Sequence, residues 1–121
     1  MRPSPLQAAA LLGGLAVAFG AFGTHALEGV IEPRRLITFE TAVRYQMFHA
    51  LALLALAALP RGTHRAAPFF LFGSLVFSGS LYGLVFTGAG WLGAVAPIGG
   101  VSMISGWAVL LFTAAPRRPQ D

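Results

Sequence analysis

The chain has no cysteine and no lysine, and only four acidic residues stand against its eight arginines. Without cysteine there are no disulfide staples, thiolate metal ligands or cysteine nucleophiles. Charged residues make up 10% of the 121 positions, whereas soluble domains carry about 25%. That is too little charge to build a water-facing surface, so an ordinary soluble domain is excluded. No nucleotide loop, paired catalytic carboxylates or metal-ligand spacing is present. Gly20-Ala21-Phe22-Gly23 and Gly99-Gly100 lie inside apolar runs rather than after strands, so they are not phosphate cradles. No catalytic residue, metal or cofactor is expected. The net charge of +4 and the pI near 11.2 do not point to nucleic acid here. The arginines sit at the ends of apolar segments, where they meet lipid headgroups and set topology.

What the chain does have is hydrocarbon: 56% of its residues are apolar. A helix of roughly 20 apolar residues crosses a bilayer core of about 30 Å. The pattern predicts an all-α membrane protein, one domain over 1–121, with four transmembrane helices in a compact bundle. The spans fall at about 6–27, 36–59, 68–86 and 94–114. Pro3 and Pro5 suit a first helical turn. Small residues then recur at Ala9, Gly13, Ala16, Gly20 and Gly23, a groove for close helix approach. The run is too long for a secretory signal core and Phe22-Gly23 is a poor cleavage site, so an uncleaved first span is expected.

Gly29 can end the first helix and Pro33 can open the second. The second helix begins with an amphipathic extension in the headgroups and stops at Pro60. Leu36, Phe39, Val43, Met47, Ala50 and Leu54 form its expected apolar stripe. The third span opens at Pro68 and ends near Phe86. Ser78, Gly79 and Gly83 read as packing positions on it, as does Gly106 on the fourth. The fourth span starts at Trp91 or at Pro97. Arg2, Arg61, Arg65, Arg117 and Arg118 fall on one side. Arg34, Arg35 and Arg44 fall on the other, beside Glu28, Glu32 and Glu40. This asymmetry predicts that both termini are cytoplasmic.

Polar chemistry concentrates on the second helix. Glu40 and Arg44 have the favourable i, i+4 order for a pair, which is equally the spacing of a self-neutralising interfacial anchor. Thr41, Tyr45 and His49 form a second stripe at spacing four, with His49 near the midplane. An ionisable side chain at that depth is a candidate site, although a neutral imidazole bonded within the bundle explains it as well. Gln46 lies off both stripes and can bind a neighbouring helix or subunit. His25 ends the first helix near the outer interface, either stabilising that terminus or joining Glu40 and Arg44. Its depth differs from that of His49 by roughly 10 Å, which argues against shared haem ligation. The candidate ligand-binding set is therefore His25, Glu40, Arg44, Tyr45, Gln46 and His49.

Gly20-Ala21-Phe22-Gly23-Thr24-His25-Ala26-Leu27 and Phe39-Glu40-Thr41-Ala42-Val43-Arg44-Tyr45-Gln46-Met47-Phe48-His49-Ala50-Leu51 resemble the YgdD-like family of small membrane proteins, a domain family of unknown function with a mitochondrial-type relative. Phe77-Ser78-Gly79-Ser80-Leu81-Tyr82, Trp91-Leu92-Gly93-Ala94, Pro97, Gly99-Gly100 and Gly106-Trp107 resemble its later motifs. Thr24 departs from the small Ala expected there. The resemblance implies a four-span protein of the bacterial inner membrane and brings no activity, substrate or cofactor with it. The leading expectation is a non-enzymatic membrane protein that self-associates as a homo-oligomer or supports a partner, with membrane lipids around it. The alternative is a lipid-, quinone- or ion-binding or transport protein using the polar cluster at the outer end of the second helix. An interfacial enzyme with His25 as base beside Glu40 lacks a visible nucleophile.

Overall fold

The computed structural model describes residues 3–113. Arg2, Arg117 and Arg118, used in the topology argument, lie outside the described residues. Four helices are long and apolar enough to cross a membrane, and no strand occurs among the described residues. We number them α1 (Pro5–Leu27), α2 (Pro33–Ala58), α3 (Ala67–Thr87) and α4 (Leu92–Thr113). Consecutive helices pack against one another, as short connections demand.

Local chemistry sets the boundaries. Ser4 caps α1: its Oγ accepts from the Gln7 N–H at 3.1 Å, and Gln7 Oε1 accepts from the Ser4 N–H at 3.0 Å. This reciprocal box satisfies two orphan donors, and Pro5 occupies a position where a missing N–H costs nothing. Gly29, at φ 79°, and Gly88, at φ 73°, take the left-handed conformation that turns the chain after α1 and α3; a side chain is strained there. Pro33 opens α2 as expected. The Arg61–Ala66 segment winds as a tighter 3₁₀ turn before α3. The fourth helix begins just after Trp91, and Pro97 lies inside it, early enough that only the Gly93 carbonyl loses its helical donor.

α1 is not a uniform α-helix. Phe19–Gly23 forms a wider π turn, closed by the Thr24 N–H donating to the Phe19 carbonyl. The wide turn absorbs one extra residue, and both halves of α1 pack against α2. A Cβ on Gly13 would stand 3.6 Å from Ala50 Cβ, one on Gly20 3.2 Å from Val43, and one on Gly23 2.8 Å from the Phe39 ring. Contacts that climb α1 thus descend α2, the antiparallel register of a hairpin.

The closest backbone crossing joins α3 and α4. A Cβ on Gly73 would meet the Gly99 carbonyl oxygen at 2.8 Å, and one on Gly99 would strike the Phe77 backbone. Ser102 Oγ crosses the same interface to the Phe69 carbonyl at 2.9 Å. Gly106 makes room for the Phe70 ring, 2.6 Å from where its Cβ would stand, and Gly83 faces the end of Leu92. Gly79 is exposed with open space around it, so the close approach falls at Gly73 and Gly99 and not at Gly79. An apolar core of Ala8, Leu12, Leu53, Leu56 and Phe70 fills the end of the bundle nearer the 3₁₀ turn.

Candidate functional site

In hydrocarbon the usual rule of burial inverts, because polar groups find no water outside and are satisfied inside. The inward face of α2 follows that logic. Phe39, Ala42, Gln46, His49, Ala50, Leu53 and Leu56 are buried. The expected apolar stripe runs one residue off this face: Val43 and Met47 are half-buried and Leu54 is exposed. Hydropathy alone misplaced the stripe because Gln46 and His49 belong to it.

Gln46 joins three helices. Its Nε2–H donates to the Leu12 carbonyl of α1 at 2.8 Å, and its Oε1 accepts from the Tyr82 hydroxyl of α3 at 2.7 Å. The Leu12 carbonyl can only accept, which fixes the orientation of the amide. The Tyr82 ring lies edge-on to Phe19 at 5.2 Å and tilted against Phe39 at 5.4 Å. One turn away, Ser78 Oγ donates to the Ala42 carbonyl at 2.7 Å. Ser74, in register with Gln46 on the same face of α3, is buried, and its Oγ has no partner among the described residues.

His49 lies deeper. The Trp107 Nε1–H of α4 donates to its Nε2 at 3.1 Å, and its Nδ1 lies 2.9 Å from the Tyr45 carbonyl. An indole N–H only donates, so Nε2 must accept and the ring proton resides on Nδ1, donating to Tyr45. Both nitrogens are engaged. The Phe70 ring fills the corner, 5.3 Å from His49 and 4.9 Å from Trp107.

The six predicted site residues do not form one cluster. Gln46 and His49 turn inward. Arg44 and Tyr45 turn outward, Glu40 is half-buried, and His25 is exposed in the last turn of α1. Residues four apart advance about 400°, an over-rotation of about 40° per step. From Thr41 to His49 the stripe therefore swings about 80° around the helix. Thr41 spends its hydroxyl on the Ile37 carbonyl at 3.0 Å, Tyr45 packs on Phe77 at 5.1 Å, and only His49 enters the bundle. No salt bridge, Glu40–Arg44 included, forms among the described residues. The cleft near the Pro33 end of α2, about 300 Å³, is bounded by Phe19, Phe39, Tyr82 and Phe86 and is apolar. Tyr82 and Trp107 complete the polar network, and the sequence reading missed both as partners. Running α2 and α3 antiparallel from Pro60 sets Gln46 opposite Ser74, so local register does not pair it with Tyr82 either. Nothing local pairs Trp107 with His49.

The family described as "Protein of unknown function (DUF423)" matches residues 19–100. The chain belongs to this family. The matched stretch runs from the π turn of α1 to the Gly99 crossing of α4. A UPF0382 membrane protein, YwdK of Bacillus subtilis, is 42% identical over 106 residues, 83% of this chain and 86% of its own. A UPF0382 membrane protein of Haemophilus influenzae is 37% identical over 116 residues, covering 93% and 94%. One from the yeast Schizosaccharomyces pombe is 42% identical over 111 residues, covering 85% and 94%. No solved structure matches the chain. The family and the four apolar helices together make this a multi-pass integral membrane protein. The fungal member agrees with the eukaryotic relative that the resemblance implied.

Proposed function

We propose that this is a non-enzymatic protein of the bacterial inner membrane, with both termini cytoplasmic, that self-associates through the outward face of α2. The observation that carries this reading is the exposure of Arg44 on a membrane-spanning helix. Arg44, Phe48 and Leu51 share that face at spacings of four and three, and all three are exposed. An arginine facing hydrocarbon costs about 2.5–3.5 kcal/mol at the bilayer centre, less where it snorkels. A second copy that offers carbonyls or Glu40 relieves that cost. The inward polar groups of α2 are committed to α1, α3 and α4, which supports a scaffold over a catalyst.

The test is intact-mass analysis of the protein in lipid nanodiscs. Dimers or larger assemblies are expected, weakened in Arg44→Leu. Only monomers at all protein-to-lipid ratios would refute the reading. Reporter fusions at each terminus check the topology, with a cytoplasmic signal expected from both.

A second reading, a lipid or quinone tail held at the outer end of α2, is favoured by the apolar cleft beside Phe39 and Tyr82. It draws on Phe19, Phe39 and Phe86 for contact, because Gln46 and His49 are hydrogen-bonded to the other helices. Photolabelling with an isoprenoid quinone should mark Phe86 or Phe19 peptides; labelling spread evenly over the chain would dismiss it.

A further inference from the structure

Another cleft lies at the end of the bundle that holds the 3₁₀ turn. It is about 540 Å³ and opens between the start of α1 and the start of α3, a volume typical of small-molecule sites, roughly 300–1,000 Å³. Pro5 and Ala8 form one wall, Leu71 and Phe72 the other, and Leu53 of α2 the back. Among the described residues one polar side chain lines it, that of His64 in the 3₁₀ turn. Its Nε2 is sealed from solvent and has no hydrogen-bond partner among the described residues. An enclosed ring nitrogen without a partner calls for one, because buried polar atoms are as a rule satisfied. On either side of it in the chain, Arg61 and Arg65 are exposed. The turn that contributes His64 to the cleft therefore carries two exposed arginines as well.

We propose that this cleft is a binding site for an anionic phospholipid of the adjacent leaflet. An acyl chain lies between Ala8, Leu53 and Leu71, the His64 ring turns on binding to bring its enclosed Nε2 to the cleft, where a phosphate oxygen accepts from it, and Arg61 and Arg65 of the same turn hold the headgroup charge. Two features select this occupant. The walls are hydrocarbon, which suits a chain and not a soluble anion. The turn that carries His64 also carries Arg61 and Arg65, with no acidic residue between Glu40 and the described end of the chain, which suits an anionic headgroup over a zwitterionic one. A charge-assisted hydrogen bond to phosphate supplies the partner that His64 Nε2 lacks. The inference is independent of self-association, since it concerns neither Arg44 nor the outward face of α2.

Native mass spectrometry of the protein released from nanodiscs tests it, using equal parts phosphatidylglycerol and phosphatidylcholine. One phosphatidylglycerol should remain on each copy of the chain, in preference to phosphatidylcholine. His64→Phe should lower that retention roughly tenfold, the loss of one charge-assisted bond. Leu71→Trp, which fills the cleft, should remove it. The exposed pair Arg61→Gln with Arg65→Gln should erase the preference for the anionic lipid and carries the test if a cleft variant fails to fold. Equal retention of both lipids by the unmodified chain, or unchanged retention in His64→Phe and in the double arginine variant, would overturn the proposal. Retention of added palmitate in place of phosphatidylglycerol would overturn it too, by assigning the cleft to a free fatty acid.

Discussion

Trp107 donates its indole N–H to Nε2 of His49 across 3.1 Å and 58 positions of sequence. The bond joins α4 to α2, two helices that otherwise touch little, and with Phe70 it closes the bundle. It also fixes the tautomer of the histidine: the second ring nitrogen donates to the Tyr45 carbonyl one turn back. A histidine at this depth would ordinarily be a first choice for a proton or ligand role. Here its two nitrogens serve structure.

Trp107→Phe keeps an aromatic ring beside Phe70 and removes only the donor. His49 Nε2 is then buried and unpaired. The expected loss of stability is about 1–2 kcal/mol, the upper range for interhelical hydrogen bonds in membranes. Unfolding by SDS titration in mixed micelles measures it. In a double-mutant cycle, His49→Phe should remove most of the cost of Trp107→Phe. Additive losses would show that the bond is not coupled.

Gln46→Leu breaks two bonds at once and strands the Tyr82 hydroxyl against Phe19 and Phe39. It should cost about 1–3 kcal/mol, more than Tyr82→Phe, which removes one bond and leaves no stranded hydroxyl. The same micelle titration ranks the two. Equal stability of Gln46→Leu and the unmodified protein would mean that the amide does not link the three helices.

The glycines of α3 and α4 should divide sharply. Gly73→Ala and Gly99→Ala put a methyl group into the opposing backbone, which cannot yield as a flexible side chain would. Overpacking of this kind costs about 1–3 kcal/mol, and the α3–α4 pair should loosen. Gly79→Ala meets open space and should be neutral or gain up to about 1 kcal/mol in helix propensity. Thermal aggregation midpoints in detergent separate the two classes. A damaging Gly79→Ala would instead point to a contact between copies.

The π turn gives a test by deletion. Removing exposed Ala21 takes out the extra residue of the Phe19–Gly23 turn and should leave an unbroken α-helix with the N-terminal half of α1 still facing α2. Removing exposed Ala10 from the regular part turns Ala8 and Ala9 by about 100° out of the core. Circular dichroism and melting in micelles should find the first variant folded and the second destabilised. The reverse order would show that the wide turn is indispensable.

The number of helices, their limits and their solvent were all determined by the sequence itself, because each rests on local physics. Apolar length decides that a segment crosses a bilayer, while proline and glycine end it within a residue or two: Pro33 opens α2, Pro60 stops it and Gly88 turns the chain after α3. Gly13, Gly20 and Gly23 were legible for the same reason, since α1 and α2 are neighbours joined by a short loop and their small residues must meet. Which polar side chains share a site was decided only by the tertiary structure. Spacing of four put Thr41, Tyr45 and His49 on one nominal stripe, but helical over-rotation sent Tyr45 to the surface and His49 into the bundle. The partners of Gln46 and His49 lie on other helices, at depths and rotations that no local pattern encodes. Gly79 and Gly99 have the same chemistry, and only the packing of α3 against α4 made one of them a crossing point and left the other in open space.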